Sequence, residues 1–186
     1  MRIAVLELSS SHEECLFSQI SFLQKEEHHI SLFIHPNIEK QISYGSRVDT
    51  ISTINFDKEK WTNSIRSQYR LAKNLSQFDK LIFNTASSSK ELRNILLLLL
   101  FSNVECIGVL HNTKKLQKSF TQKIISLKIK KYFILSDSLK EKAIVPNSKI
   151  KLESFYPIFF PEFKVQYIEK KENEVWFCIP GRVEFS

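Results

Sequence analysis

An α/β fold, with a doubly wound, mainly parallel sheet of about seven strands and helices on both faces, is predicted by three features of this 186-residue chain. Short β-branched and aliphatic runs recur along it, helix-patterned or polar stretches separate them, and several of the runs are apolar at nearly every position. Continuous apolar runs mark strands covered on both faces, as a sheet made of strand-helix-strand units requires.

The runs are Ile3–Leu8, Ile30–His35, Thr50–Ile54, Lys80–Phe83, Glu105–Leu110, Tyr132–Leu135 and Lys149–Phe155. Spacing picks out the helices between them. Trp61, Ile65, Tyr69, Ala72 and Leu75 form one stripe and Leu116, Phe120, Ile124 and Leu127 another, each predicting a helix with that face in the core. Ser88, with Glu91 three residues later and a leucine run behind it, fits a capping box that opens a helix ending near Ser102 and Asn103. Residues 95–101 are apolar all round, so this helix is expected to be among the most buried. Pro36 with Asn37 starts a shorter helical turn, and Ser136 with Asp137 caps another.

With 42% hydrophobic residues the chain can bury one full core without disulfides or metals. Cys15, Cys106 and Cys178 are odd in number, far apart and flanked by apolar residues, the pattern of free thiols in a reducing, cytoplasmic compartment. The first residues read as a core strand, because the apolar run after Arg2 is interrupted by Glu7 and is too short for a signal peptide. The longest apolar run, Ile95 to Phe101, is about a third of a membrane span. The net charge of +7 is concentrated: residues 113–151 hold eleven lysines against Asp137 and Glu141, which leaves the remainder slightly acidic. Such a segment attracts phosphates, on a nucleotide, a nucleic acid or an anionic lipid, or is a solvated helix face.

Residues 169–174, Glu-Lys-Lys-Glu-Asn-Glu, read as a linker between a domain at 1–168 and a new buried-strand pattern in 175–186. A strand placed alone after a linker predicts either a fragment cut just inside a second domain or a strand that folds back to a partner.

Three glycines, Gly45, Gly108 and Gly181, cannot build a dinucleotide fingerprint or a phosphate loop. Any phosphate must then be held by helix amino termini, hydroxyls or lysines. In an open parallel sheet ligands bind beyond the carboxyl ends of the strands. Ser9, Ser10, Ser11, His12 and Glu13 lie there after the first strand, where His12 with Glu13 or Glu14 offers an acid or base, or where serines cap a helix with acids in its first turn. Asn84 with Thr85 ends the fourth strand, His111 and Asn112 the fifth, and Ser136 the sixth. His28, His29 and His35 read as surface or packing residues, and no metal site is expected.

With these strand ends, the linker and the closing Ile179-Pro180-Gly181-Arg182-Val183-Glu184, the chain resembles the amino-terminal domain of GT-B glycosyltransferases, family 4 in particular. The resemblance implies one Rossmann-like half of a two-domain enzyme of hexosyltransferase type, taking the acceptor while a second domain, absent here, binds a nucleotide-sugar donor. It implies that His111 faces the donor sugar as the catalytic residue, that Gly181 and Arg182 open the donor loop, and that Ser9, Ser10, Ser11, His12, Glu13, Asn84, Asn112 and Ser136 border the acceptor. No cofactor is implied beyond the nucleotide sugar, and the fragment is expected to be inactive alone. Family members often carry paired glycines after the first strand, where this chain has Ser9-Ser10-Ser11-His12. The resemblance also implies glycan or cell-envelope polysaccharide synthesis, a glycan or lipid-linked acceptor, and peripheral contact of the 113–151 lysines with an anionic inner-membrane face.

Two other functions fit the composition. A basic module could bind nucleic acid, although no aromatics interleave with the lysines as a stacking platform requires. A non-catalytic domain could instead stabilise a separate transferase subunit.

Overall fold

The computed structural model describes residues 1–10, 12–39, 48–56, 61–86, 89–116, 120–145 and 148–156. In chain order the elements are β1 (Arg2–Glu7), α1 (Glu13–Lys25), β2 (His29–Ile34), α2 (Pro36–Glu39), β3 (Thr50–Thr53), α3 (Trp61–Leu75) and β4 (Lys80–Phe83), then α4 (Lys90–Leu98), β5 (Glu105–Leu110), a 3-10 turn (Thr113–Leu116), α5 (Phe120–Lys128), β6 (Ile129–Ile134), α6 (Asp137–Glu141) and β7 (Lys151–Ser154). All seven expected strands are present. The proposed linker, the strand at 175–179, Ser88 and the side chain of Trp61 lie outside the described residues.

The seven strands form one sheet in the order β3-β2-β1-β4-β5-β6-β7, and every pairing is parallel. This is a Rossmann-like, doubly wound sheet. The chain moves outward from β1 to β3, returns to the far side of β1 through α3, then moves outward again to β7. Right-handed crossovers place α1 and α2 on one face and α3 to α6 on the other.

Two cores follow from that winding. Ile3, Val5, Ile30, Leu32 and Ile34 pack on Leu16, Ile20 and Leu23 of α1. The larger core joins Ala4, Leu6, Leu81, Phe83 and Cys106 to Leu71, Leu75, Leu92, Leu96 and Ile125 of α3, α4 and α5. Alternate residues of β1 therefore serve opposite cores, and four of its residues, Ile3 to Leu6, are buried apolar side chains. On the α1 side, Ile82, Ile107, Val109 and Phe133 also line an apolar depression of about 320 Å³ beside Phe22.

Three expectations about the helices are corrected. The cap of α4 is Ser89, whose hydroxyl accepts from Leu92 N at 3.0 Å, one residue later than the capping-box reading. The apolar run in and after α4 is not uniformly buried: Leu92, Ile95, Leu96 and Leu99 face the core, while Leu97 and Leu98 are exposed and Phe101 is 98% accessible. The two predicted stripes meet the core in part: Ala72, Leu75 and Leu116 are buried, but Phe120 and Leu127 of α5 are 75% and 58% exposed, and in α3 Ile65 and Tyr69 are exposed while Gln68 is buried. The core face of α5 is made by Gln122, Ile125 and Ser126. Gln122 is admitted because its Nε2 donates to the buried Tyr132 Oη at 3.1 Å, and Ser126 because its hydroxyl returns to Lys123 O at 2.7 Å.

Gly108 allows that arrangement. A Cβ there would lie 2.6 Å from Ala86 Cβ and 2.8 Å from the Tyr132 ring. Gly108→Ala is expected to destabilise the chain by about 1–3 kcal/mol, as overpacking of a close-fitted core does. Urea unfolding measures it, and an unchanged midpoint would show that the ring has room to withdraw.

Candidate functional site

Strand order reverses between β1 and β4, so the loops leaving these strands diverge to opposite faces and open a crevice at their carboxyl ends. The residues closing β1, β4 and β5 meet there. Glu7, the last residue of β1, is fully buried. Its Oε1 accepts from Ser9 N at 2.8 Å and Ser9 Oγ at 2.7 Å, and its Oε2 accepts from Asn84 Nδ2 at 2.5 Å and Thr85 Oγ1 at 2.6 Å. Burial raises the Glu7 pKa above its ordinary value of 4.5, and the bonds from Thr85, Ser9 and Asn84 pull against that rise.

Asn84 ties the cluster together. Its Nδ2 also donates to the backbone carbonyl of His12 at 3.0 Å, and its Oδ1 accepts from Gln19 Nε2 at 2.5 Å. Asn84 N bonds Leu6 O, continuing the β1–β4 ladder, and Asn84 O accepts from His111 Nε2 at 2.8 Å. A carbonyl only accepts, so the proton sits on His111 Nε2, which leaves Nδ1 as acceptor toward Cys15 Sγ at 3.9 Å in the neutral ring.

The His12 ring stacks on the His111 ring, centroids 3.9 Å apart and planes 23° apart. Residue 12 is in the left-handed region, φ 75° and ψ 33°, at the start of α1. For a residue with a side chain that conformation costs roughly 1–2 kcal/mol. It is offset here by the bonds that His12 O accepts from Asn84 Nδ2 and from Leu16 N. Among the described residues no hydrogen bond reaches the half-buried His12 ring.

Of the residues expected at the site, Ser9, His12, Asn84 and His111 are thus brought together at one edge, on the α1 side of the sheet. Asn84 is wholly buried and its amide is committed to its neighbours. Ser10 is exposed in the loop beside them. Asn112 is exposed, and its Oδ1 accepts from Lys114 N at 3.0 Å to start the 3-10 turn. Ser136 ends β6, farther along the same rim, where its hydroxyl caps α6 through Leu139 N at 3.3 Å. Ser11, Gly181, Arg182 and the side chain of Glu13 lie outside the described residues. His35 is buried and accepts from Asn37 N, and His29 lies on the surface 3.5 Å from Asp49, as packing and surface residues.

Thr85, read with Asn84 as closing the fourth strand, is at the site, while sequence reasoning missed Glu7, Gln19 and Cys15. Glu7 carried a signal, a carboxylate as the last residue of an otherwise apolar central strand. Nothing local marks the other two, whose roles arise from contacts 65 and 96 residues away.

No family model and no curated protein matches the chain. Solved structures do. A glycosyltransferase from Rickettsia africae matches at TM-score 0.55 and 13% identity, covering 83% of this chain and 42% of its own length. HepE from Anabaena, solved with UDP and glucose, matches at 0.59 and 12%, covering 86% and 45%. UDP-GlcNAc 2-epimerase from Neisseria meningitidis, bound to UDP-GlcNAc, matches at 0.50 and 11%, covering 82% and 45%. The likeness is one of fold, a Rossmann-like architecture that the chain shares with these GT-B neighbours. It spans less than half the length of these neighbours.

The raised pKa of Glu7 fixes the sign of a pH effect. Between the unfolded carboxyl value and the higher folded one, the native state holds a proton that the unfolded state has lost. Stability should therefore fall as pH rises from about 4.5, and level off once the folded value is passed. Glu7→Gln should remove that slope, so the wild type's advantage over the variant should shrink with rising pH. Urea midpoints across this range test it, and parallel profiles for the two proteins would contradict it.

Proposed function

We propose that this chain is the acceptor-side, Rossmann-like half of a glycosyltransferase, moving a sugar from a nucleotide-sugar donor to a hydroxyl in glycan or cell-envelope polysaccharide synthesis. The observation that carries the reading is the polar cluster at the strand-order reversal, where His12 and His111 stack over a buried Glu7–Asn84–Thr85 network. The lack of a glycine-rich phosphate cradle fits a half that receives the acceptor and leaves the donor diphosphate to other residues. The fold likeness to proteins solved with UDP supports the same class.

Within this reading the two histidines divide the work. An attacking hydroxyl must lose a proton as the new glycosidic bond forms, and in this reading the imidazole of His12, stacked on that of His111, takes it. His111, held through Asn84 O and Cys15 Sγ, fixes the second ring against which His12 rests, and its edge borders the donor sugar. Ser9 and Thr85 are bound to Glu7 and set the loop shape around the acceptor. The donor loop would include Gly181 and Arg182, and no metal is called for by this half.

The test uses protein made from the full coding region, with a panel of nucleotide sugars and free or lipid-linked saccharide acceptors, reading release of the nucleoside diphosphate. His12→Ala and His111→Ala are each expected to lower turnover about a hundredfold or more. His111→Gln, which keeps a donor to Asn84 O, separates stability from chemistry. Unchanged turnover in both alanine variants removes this cluster from the site. Conversion of the sugar without transfer to any acceptor would assign the fold to epimerisation instead.

A further inference from the structure

On the face of the sheet opposite α1, a recess of about 270 Å³ opens between β3 and the flank of α3. Its origin is a change of side-chain size between neighbouring strands. Phe33 of β2 is paired in register with Ser52 of β3, and residues paired in this way share a face of the sheet. Phe33 belongs to the larger core and meets Phe78 edge-on, with ring centroids 5.9 Å apart. Where β3 would need a bulky side chain to continue that core it has Ser52, and all four of its residues are exposed. The space left in front of Phe33 is floored by Phe33 itself and by the buried Leu71 of α3, with the half-buried Ile54 and Phe56 at its side.

Around this apolar floor stand hydroxyl and amide side chains, with one cation among them. Ser67, Arg70 and Asn74 line the recess from α3, and their spacing along the helix puts them on one stripe. Ser52 and Asn55 line it from β3 and the turn that follows. That turn is held in place because Ile54 N donates to Ile34 O at 2.8 Å, which carries the ladder one residue past the strand. No acid stands among the described residues that line the recess, and no ion pair among the described residues engages Arg70. Helix α3 also carries Arg66 and Lys73 and has no acidic residue, so the field at the recess is positive. A solvated face ordinarily intersperses both signs of charge, and this one does not.

We propose that this recess between β3 and α3 binds one pyranose unit bearing a carboxylate or a phosphate. Its volume is at the small end of ligand sites, which run from roughly 300 Å³ upward, so it takes one ring and not a chain of them. The faces of a pyranose are C–H surfaces that suit the apolar floor. Its hydroxyls radiate at the edge, where serine and asparagine side chains can meet either a donor or an acceptor. The guanidinium of Arg70 offers donors only, in a planar fork that matches two oxygens of a carboxylate or phosphate. An anion without a ring would leave the floor in water, and a wholly apolar ligand would leave Arg70 unmatched. The recess lies two strands from the β1 end where His12 and His111 meet, roughly 10 Å along the sheet. It is therefore outside the crevice, and its recognition chemistry does not depend on the reaction proposed there.

Titration of the isotope-labelled full chain with glucuronate, glucose 6-phosphate, glucose and inorganic phosphate, followed by two-dimensional NMR, tests the assignment. Amide shifts should concentrate at residues 52–56 and 67–74. At least one of the two anionic sugars should bind about tenfold or more tighter than glucose, as a charge-assisted bond to Arg70 requires, and the tighter of the two identifies the anion. Arg70→Gln should erase that preference. Lys73→Gln removes the same charge from outside the recess and should leave the preference intact. Ser52→Phe fills the space in front of Phe33 and should abolish binding of all three sugars. These three positions are exposed, and matching thermal unfolding curves confirm that the variants fold. Absence of shifts in the two segments with either anionic sugar overturns the proposal, as does an equal loss in Lys73→Gln and Arg70→Gln. Inorganic phosphate binding as tightly as the anionic sugars would assign the recess to the anion alone and overturn it equally. No donor and no turnover enter the measurement, so its failure leaves the sugar-transfer proposal standing.

Discussion

The position of β1 governs this molecule. It is hydrogen-bonded in parallel to β2 on one side and to β4 on the other, so it is where the chain changes the direction in which it builds the sheet. Because a parallel crossover is right-handed, that single change sends α1 and α2 to one face and α3 to α6 to the other. The first strand must then be apolar on both faces, and it is, from Ile3 to Leu6. Where it ends, two neighbouring loops part, and the space between them cannot be filled by either connection. The polar residues gathered there occupy the one place the winding leaves open.

A buried carboxylate at that point needs donors, since an unpaired charge in an apolar setting is costly. Glu7 draws them from two directions, from its own loop through Ser9 and from the end of β4 through Asn84 and Thr85. Asn84 then reaches α1 through the His12 carbonyl and Gln19, and its own carbonyl holds His111 at the end of β5. Three strand ends and one helix start are joined by side chains that are mostly out of solvent. At the edge of this network the imidazole of His12 lies on that of His111, and among the described residues no hydrogen bond reaches it.

Strand positions were legible in the sequence because a strand buried on both faces needs several apolar residues in a row, a pattern few other structures impose. Helix faces were harder to read. In α5 the apolar positions Phe120 and Leu127 look like a core stripe, yet the buried positions include Gln122, whose Nε2 donates to Tyr132, and Ser126, whose hydroxyl donates to the helix's own backbone. Periodicity locates a stripe without saying whether it meets the core or something outside the molecule. At the site, Ser9, His12, Asn84 and His111 were legible as strand-end residues. Glu7 was passed over because a single acid after an apolar run resembles the end of a strand, and Cys15 and Gln19 because α1 brings them to the rim from its buried side.

The left-handed backbone at residue 12 bears on how this rim would meet a ligand. With its carbonyl anchored to Asn84 and its ring laid on His111, the turn into α1 is set before anything arrives. A partner entering the crevice would meet His12 already held, so little of its binding free energy would be lost to ordering that residue. Recognition at such a rim resembles a key meeting a cut lock more than a hand closing on an object.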